Sequence, residues 1–508
     1  MENKVGTNIR KLKYGSMAVV TLVFVTAIVV ILNVIAGLLT ERYPLKIDLT
    51  PDKRYELSEE TINYLKSFEG DVEISVMLPR ETLDSNNYTG IITNILDKYE
   101  IYARGGKGSV NVNYYDIDKN PDAVAKYKKY YNGVIDKGSV VIYANQRVRV
   151  VDNILSFFVQ DSKSQIYTNE QSQLIFSGEN TITTAIMSVT DAHPVKLGLL
   201  WTAAQGTVNI TEEVESVRKP VSIGIQTLEK NGYDVTMLDL SDEFSPEDYD
   251  MLMIPASAYD FPEEVIEKIN DFLYNGGKYE RYLIYIPDPL LLGTNKIDAL
   301  MERWNVKVES ANVSDEGKNA MSVSLMYGKD IAPIAVVPNE DVSAAIVNKG
   351  LPVVVPSARP ITVLSKNNDV ETEVLLQSSP TAKAKPLVEG EGTEVKGIQN
   401  FVTVSKRGYA EGYFEYRSKV MVISSAYFTD PILIENISTY NNTNFFLSAV
   451  NYMVGKENNA LIPQKNLEQQ LIQVDQDKVK TLQIFVMYII PAVTGVFGIV
   501  VLLRRKNR

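Results

Sequence analysis

Two long uncharged stretches, one near each end, constrain this chain more than any other feature. Residues 14–40 carry no charged side chain, and residues 17–39 are dominated by Val, Ile, Leu, Ala and Phe. Residues 481–503 form a second uncharged run, with Pro491 inside it. At about 1.5 Å per residue, either run as a helix crosses a hydrocarbon core of roughly 30 Å. A bilayer-spanning helix tolerates the kink that Pro491 introduces. The first run is long for a signal peptide, and Val34-Ile35-Ala36 lacks the small-residue pattern of a cleavage site. Two transmembrane helices are expected, the first an uncleaved anchor.

The flanking charges set an orientation. Lys4, Arg10, Lys11 and Lys13 against Glu2 give residues 1–16 a net +3, and residues 504–508 carry a net +4. Basic flanks stay in the cytoplasm. Both termini are therefore expected there, with residues 41–481 outside, in a two-pass protein of a bacterial cell membrane. The whole chain carries −12, which leaves −19 on the outer part. An acidic segment of this kind makes nucleic acid an unsuitable partner.

Missing residue types exclude much chemistry. The 508 residues include no cysteine and one histidine, His193. Disulfides, zinc–thiolate sites, iron–sulfur clusters and cysteine nucleophiles are ruled out. His193 precedes Pro194 and reads as a turn residue, because no Gly-x-Ser-x-Gly elbow exists to pair with it. No Gly-Lys pair is followed by Ser or Thr, so there is no P-loop. No catalytic residue, metal or other cofactor is expected.

The length calls for two or three domains. Residues 45–180 read as an α/β unit. Ser58 can cap a helix, with Glu59 and Glu60 in its first turn. A strand over 71–78 follows, then a helical stripe of Ile91, Ile92, Ile95, Leu96 and Tyr99 that stops at Gly105-Gly106. A strand over 110–115, a helix opened by Asn120-Pro121 and a hairpin around Asn145-Gln146 complete a thioredoxin-like order. Without a C-x-x-C pair that order carries no redox chemistry.

Residues 195–460 read as a second α/β domain. Strands are expected at 195–200, 235–240, 250–254, 282–286 and 420–424. Pro220 is expected to start one helix and Pro262 another, and residues 442–455 form a third. Strands alternating with helices imply a doubly wound parallel sheet. Residues 300–410 look like an irregular insertion, with 381–399 as an exposed loop or linker. Residues 464–480 are expected to run as a juxtamembrane helix into the second span.

Three stretches carry a family likeness. They are Arg42-Tyr43-Pro44-Leu45-Lys46-Ile47-Asp48-Leu49-Thr50-Pro51 with its continuation to Ser58; Gly178-Glu179-Asn180-Thr181-Ile182-Thr183; and Val422-Ile423-Ser424-Ser425-Ala426-Tyr427-Phe428-Thr429-Asp430 followed by Asn444-Phe445-Phe446-Leu447. With the two apolar runs they resemble the GldG family, membrane-anchored auxiliary proteins of ABC-type transport systems. The resemblance implies an ABC-2-type permease and a separate ABC ATPase as partners. It implies a central domain similar to that of intraflagellar-transport proteins and to the glutamine-amidotransferase-like fold. In one bacterial group the family serves gliding motility. Where the family often has a Gly-His-Gly-Glu-like turn, this chain has Thr202-Ala203-Ala204-Gln205-Gly206.

Ligands of a doubly wound sheet sit at the carboxyl ends of its strands. The loops there offer Gln205, Gly206, Ser257, Tyr259, Asp288, Ser425 and Asp430. Amide, hydroxyl and aromatic groups of this kind suit a carbohydrate, a cell-wall polymer or a peptide. The chain therefore reads as a non-catalytic auxiliary subunit whose outer part contacts substrate, wall polymer or partner protein. A tethered polysaccharide hydrolase is the alternative; it needs two carboxylates about 5–10 Å apart in one cleft. Asp239/Asp242 and Glu212/Glu213 are the adjacent acidic pairs available for that or for calcium. A tethered solute-binding protein is a further alternative.

Overall fold

The computed structural model describes residues 56–161, 173–201, 212–456 and 465–466, apart from 87, 258, 290–292, 327, 347–349, 389, 391 and 438. Of the first apolar run it describes residues 23, 24, 26–28, 30, 31 and 34, all helical. The second run lies outside the described residues. Among the described residues no helix is long and apolar enough to cross a membrane. Met1–Glu56 and Leu57–Arg508 form separate compact units.

The second unit opens with helix α1 (Glu59–Ser67), where the Ser58 side chain accepts from the Thr61 N–H. Strand β1 (Asp71–Val76), helix α2 (Gly90–Ala103), β2 (Ser109–Tyr114), β3 (Val140–Ala144) and β4 (Arg147–Val151) follow. They form a four-stranded sheet in the order β2-β1-β3-β4. β1 and β2 are parallel and the other pairs antiparallel. Asn145 and Gln146, at φ +50° and +63°, form the two-residue turn whose twist matches a hairpin. The helix expected at Asn120-Pro121 is one short 3-10 turn, Pro121–Val124.

Strands β5 (Phe158–Asp161) and β6 (Gln173–Phe176) pair with each other and lead into α3 (Gly178–Thr190). Ile182, Ala185, Ile186 and Val189 of α3 pack with Ile92, Ile95 and Leu96 of α2 and with Ile74 and Ile142 in one core.

The larger sheet is built from β7 (Lys196–Leu199), α4 (Glu212–Lys230), β8 (Asp234–Met237), β9 (Met251–Pro255), α5 (Glu263–Tyr274), β10 (Tyr282–Ile286) and α6 (Asn295–Arg303). Its parallel part runs β8-β7-β9-β10, and alternate residues face opposite sides. Met251 and Met253 enter one core, against Val217, Val221, Ile225 and Leu228 of α4. Leu252 and Ile254 enter the other, against Val265, Ile266, Ile269, Phe272 and Leu273 of α5. Two buried faces explain the near-continuous apolar strands.

Pro220 does not start α4; it lies inside the helix. An internal proline costs about 3 kcal/mol. The stripe Val217–Val221–Ile225–Leu228 passes straight through it, and burying four such side chains offsets more, at roughly 1.5–3 kcal/mol each.

Residues 300–410 are not irregular. They supply β11 (Val306–Val308), β12 (Ala311–Ser314), β13 (Ala320–Leu325), β14 (Gly328–Ala335), α7 (Glu340–Ala345), β15 (Val353–Val354), β16 (Ile361–Val363), β17 (Val370–Gln377), β18 (Lys383–Pro386), β19 (Val395–Lys396) and β20 (Asn400–Glu411). The stretch 381–399 is no linker, because β18 pairs with β12 and β19 with β18. β13-β14-β15 make a further small sheet. The long hairpin of β20 with β21 (Phe414–Ile423) then extends the main sheet. β21 lies parallel to β10, while β20 and β16 continue the sheet antiparallel.

Helix α8 (Asn442–Val454) covers the α4 face through Phe445, Phe446, Ala449, Val450 and Met453. Lys465–Asn466 is a short strand, β22, paired to β6, where a helix was expected. The rest of 467–480 lies outside the described residues.

Candidate functional site

The parallel strands run β8-β7-β9-β10-β21, a 2-1-3-4-5 order that reverses direction between β7 and β9. The carboxyl ends of those strands are where such a sheet holds a ligand. The segment after β7 begins at buried Trp201. Thr202 to Gly206 of the turn, including Gln205 and Gly206, lie outside the described residues.

After β9 the chain turns at Ala256, which takes φ +43°. Buried Ser257 donates from Oγ to the Tyr259 carbonyl at 2.6 Å. Tyr259 is 52% exposed and is the candidate most open to solvent among the described residues. The next residue, Asp260, accepts from the Lys296 and Ile297 N–H groups at 2.9 and 3.2 Å and so caps α6. After β10, the Asp288 carbonyl accepts from Arg359 Nη1 at 3.1 Å.

After β21, Ser425 Oγ donates to the Pro356 carbonyl and accepts from the Tyr427 N–H. It thereby caps a 3-10 turn over Ala426–Thr429. That turn ends at Asp430, which is fully buried. Asp430 accepts from the Ile432 N–H at 2.9 Å and the Met326 N–H at 3.2 Å. Burial raises its pKa, and those two bonds oppose the rise. Gly224 lets α4 reach this turn: a Cβ there would come within 2.8 Å of Thr429 Oγ1. Thr429 Oγ1 in turn donates to the Pro220 carbonyl at 2.9 Å.

One residue that the sequence reading passed over holds these loops together. Arg359 is 2% exposed. Its backbone N–H donates to the Ser424 carbonyl at 3.0 Å, Nε to the Glu309 carbonyl at 3.2 Å, and Nη1 to the Asp288 carbonyl. Its charge also reaches Asp298 and Tyr285. Burial raises the Asp298 pKa, and Arg359 opposes that rise. Burial keeps the Tyr285 hydroxyl protonated. The signal was present in the sequence: a lone cation between Val353-Val354-Val355 and Pro360-Ile361.

The edge thus joins Asp288 and Ser424 through Arg359, and Ser425 with Asp430 through the 3-10 turn. The Ser257 and Ser425 hydroxyls both donate to backbone carbonyls. A nucleophile needs its hydroxyl on a base instead. Asp239 and Asp242 hold a turn, since the Asp239 N–H donates to Asp242 Oδ2 at 2.7 Å. His193 is exposed, and its N–H donates to Asp191 Oδ1 at 2.9 Å. Among the described residues no group of acidic or histidine side chains is placed to hold a metal ion.

Comparison with known proteins adds the following. The family described as an ABC-type uncharacterized transport system matches residues 210–449. A domain of unknown function, DUF7088, matches residues 51–170. No curated protein matches the chain. Among solved structures, the mmIFT52 N-terminal domain is similar at 11% identity and TM-score 0.34, over 52% of this chain and 99% of that one. A putative thua-like protein from Bacteroides uniformis is similar at 13% identity and TM-score 0.31, over 52% of this chain and 94% of that one. The domain at 210–449, which holds the carboxyl edge from β8 to Asp430, thus belongs to the GldG-like family of auxiliary proteins of ABC-type transport systems.

Proposed function

We propose that the protein is a non-catalytic auxiliary subunit of an ABC-2-type transport complex, for export or a gliding-type process, alongside a permease and a separate ATPase. Residues 17–39 and 481–503 anchor it in a bacterial membrane with both termini in the cytoplasm. The segment 41–481 reaches outward to substrate, wall polymer or partner protein. Its first sheet is read as thioredoxin-like and its second as glutamine-amidotransferase-like, each without the chemistry of its namesake.

One observation supports the reading above others. The domain matched by the transport family keeps the carboxyl edge of its sheet, but Ser257, Ser425 and Asp430 spend their polar atoms on internal backbone partners. That is a scaffold's use of these positions. ATP-driven motion reaches such a subunit through the permease.

The test is detergent co-purification of the tagged protein at native expression, with mass spectrometry of the bound proteins. A permease and an ATPase in near-stoichiometric amounts are expected. Their absence under conditions that preserve a known membrane complex overturns the proposal.

A further inference from the structure

The amino-terminal edge of the main sheet carries a feature that the transport reading does not use. Four tyrosines form a continuous ladder there. Tyr274 and Tyr279 meet edge-to-face at 5.6 Å between ring centroids, Tyr279 and Tyr409 at 6.1 Å, and Tyr409 and Tyr416 stack at 5.1 Å. Tyr409 and Tyr416 are direct cross-strand partners in the β20–β21 hairpin. Beyond them the hairpin tip presents Tyr413 fully and Phe414 at 70% exposure.

The ladder is held in place at a cost. Tyr279 and Glu280 both adopt left-handed backbone, at φ +57° and +60°. A bulky side chain there is an outlier, and glycine would fit without strain. The Asn275 side-chain amide clamps the loop by donating to the Tyr279 carbonyl at 2.8 Å. At the hairpin, a Cβ on Gly408 would collide with the Tyr416 carbonyl, so glycine lets the two strands close up beneath the stacked pair.

Charge at the edge is mostly paired. Arg407, Arg417 and Lys406 are paired with Asp369, Glu371 and Glu373. Exposed Glu280 and Glu411 have no such partner among the described residues. Next to the ladder, through Tyr274 and Asn275, lies an open cleft of about 370 Å³. Glu247, Asp271, Asn275 and Lys278 line it, with Phe244 and Phe272 in its wall.

We infer that this edge binds a glycan. Aromatic faces accept the C–H faces of sugar rings, and unpaired carboxylates accept hydroxyl protons. The adjoining cleft continues the site with acceptors and donors for further residues of the oligosaccharide. A protein partner fits less well, because the buried centre of a protein interface is depleted in Glu, Asp and Lys, the side chains that line this cleft. The inference deepens the transport reading by naming a glycan as what the outer segment contacts, and it rests on that reading for the placement of this edge outside the cell.

The test uses the purified full-length protein in detergent and three probes: a chitohexaose, a cellohexaose and a soluble peptidoglycan fragment. Calorimetric titration should show saturable binding of at least one. Tyr413→Ala, at a solvent-exposed tip, should weaken it about tenfold, and Tyr409→Ala by a similar factor. Tyr279→Gly relieves the left-handed strain, so its melting temperature should hold or rise while binding is lost. A merely structural tyrosine would give the opposite pattern. No binding of any probe at millimolar concentration, or equal binding by all three variants, overturns the proposal. So does a photo-crosslinker at position 413 that captures a protein from cells while the purified protein binds no probe. Binding is read without the permease, so its failure is distinct from failure of co-purification.

Discussion

The backbone N–H of Ser58 donates to the Glu179 carboxylate Oε1 at 2.6 Å, joining positions 121 residues apart. Around this bond, Thr61 Oγ1 meets Thr183 Oγ1 at 3.2 Å, and the Tyr99 hydroxyl bonds Thr183 and the Glu179 carbonyl. Two of the stretches that carry the family likeness thus converge on one buried polar knot between α1, α2 and α3.

Glu179→Ala should therefore destabilise the protein by about 1.5–3 kcal/mol, the range for a hydrogen bond to a charged acceptor. Glu179→Gln keeps an acceptor oxygen and should recover part of the loss. Urea unfolding followed by the exchange protection of α1 and α3 amides checks this. An unchanged midpoint for the Ala variant would remove the knot from the stability account.

Arg359 is the second test of what holds the edge. Arg359→Ala removes the donor that the Asp288 and Glu309 carbonyls share, and each lost bond to a charged donor costs about 1.5–3 kcal/mol. Arg359→Lys should not rescue it, because one ammonium cannot reproduce a planar fork with two separated acceptors. Thermal melts of the three proteins at neutral pH decide the point.

Glu373 should confer acid sensitivity. Burial opposes its charge, but the Lys406 ammonium at 2.6 Å and the Tyr452 hydroxyl at 2.6 Å prevail and lower its pKa. A lowered folded-state pKa gives stability that is present above the unfolded carboxyl value and is lost as pH falls through the folded one. Glu373→Gln should lose stability at pH 7 and show a shallower decline on acidification. Parallel curves for the two proteins would refute the assignment.

Asp298 should behave with the opposite sign. Burial raises its pKa above the usual carboxylate value. Between the unfolded and folded values the folded state binds the extra proton, so stability falls as pH rises through that window. Asp298→Asn removes this slope. It should gain stability relative to the native protein at pH 7 and lose that advantage at pH 3.5. A variant no more stable at pH 7 than the native protein would count against it.

What was legible follows from where the information lies. Ile91, Ile92, Ile95, Leu96 and Tyr99 all bury one helix face, and Asn145-Gln146 carries its own hairpin geometry. The strands of the main sheet were readable because both faces are covered. Residues 300–410 were not, since small sheets bury few positions: of β13 only Val323 is buried. Pro220 misled because a local rule was overridden by packing. Lys465–Asn466 misled because its partner β6 is remote in sequence. At the site, the loops were found by topology. The roles of Ser257, Ser425 and Asp430 depend on carbonyls and N–H groups that only the folded chain brings near, and Arg359 sits in a segment that seemed to have no structure.

The pairing of β22 with β6 has a mechanical consequence. β6 leads directly into α3, and α3 is also the helix that Ser58 grips at the other end of the unit. Tension applied to both ends of Leu57–Arg508 therefore meets at α3 and the short strands beside it. The large sheet hangs outside that load path while β22 stays paired, so a pull that breaks the Ser58 grip leaves the sheet and its tyrosine ladder intact, whereas one that strips β22 from β6 transfers the load to the large sheet.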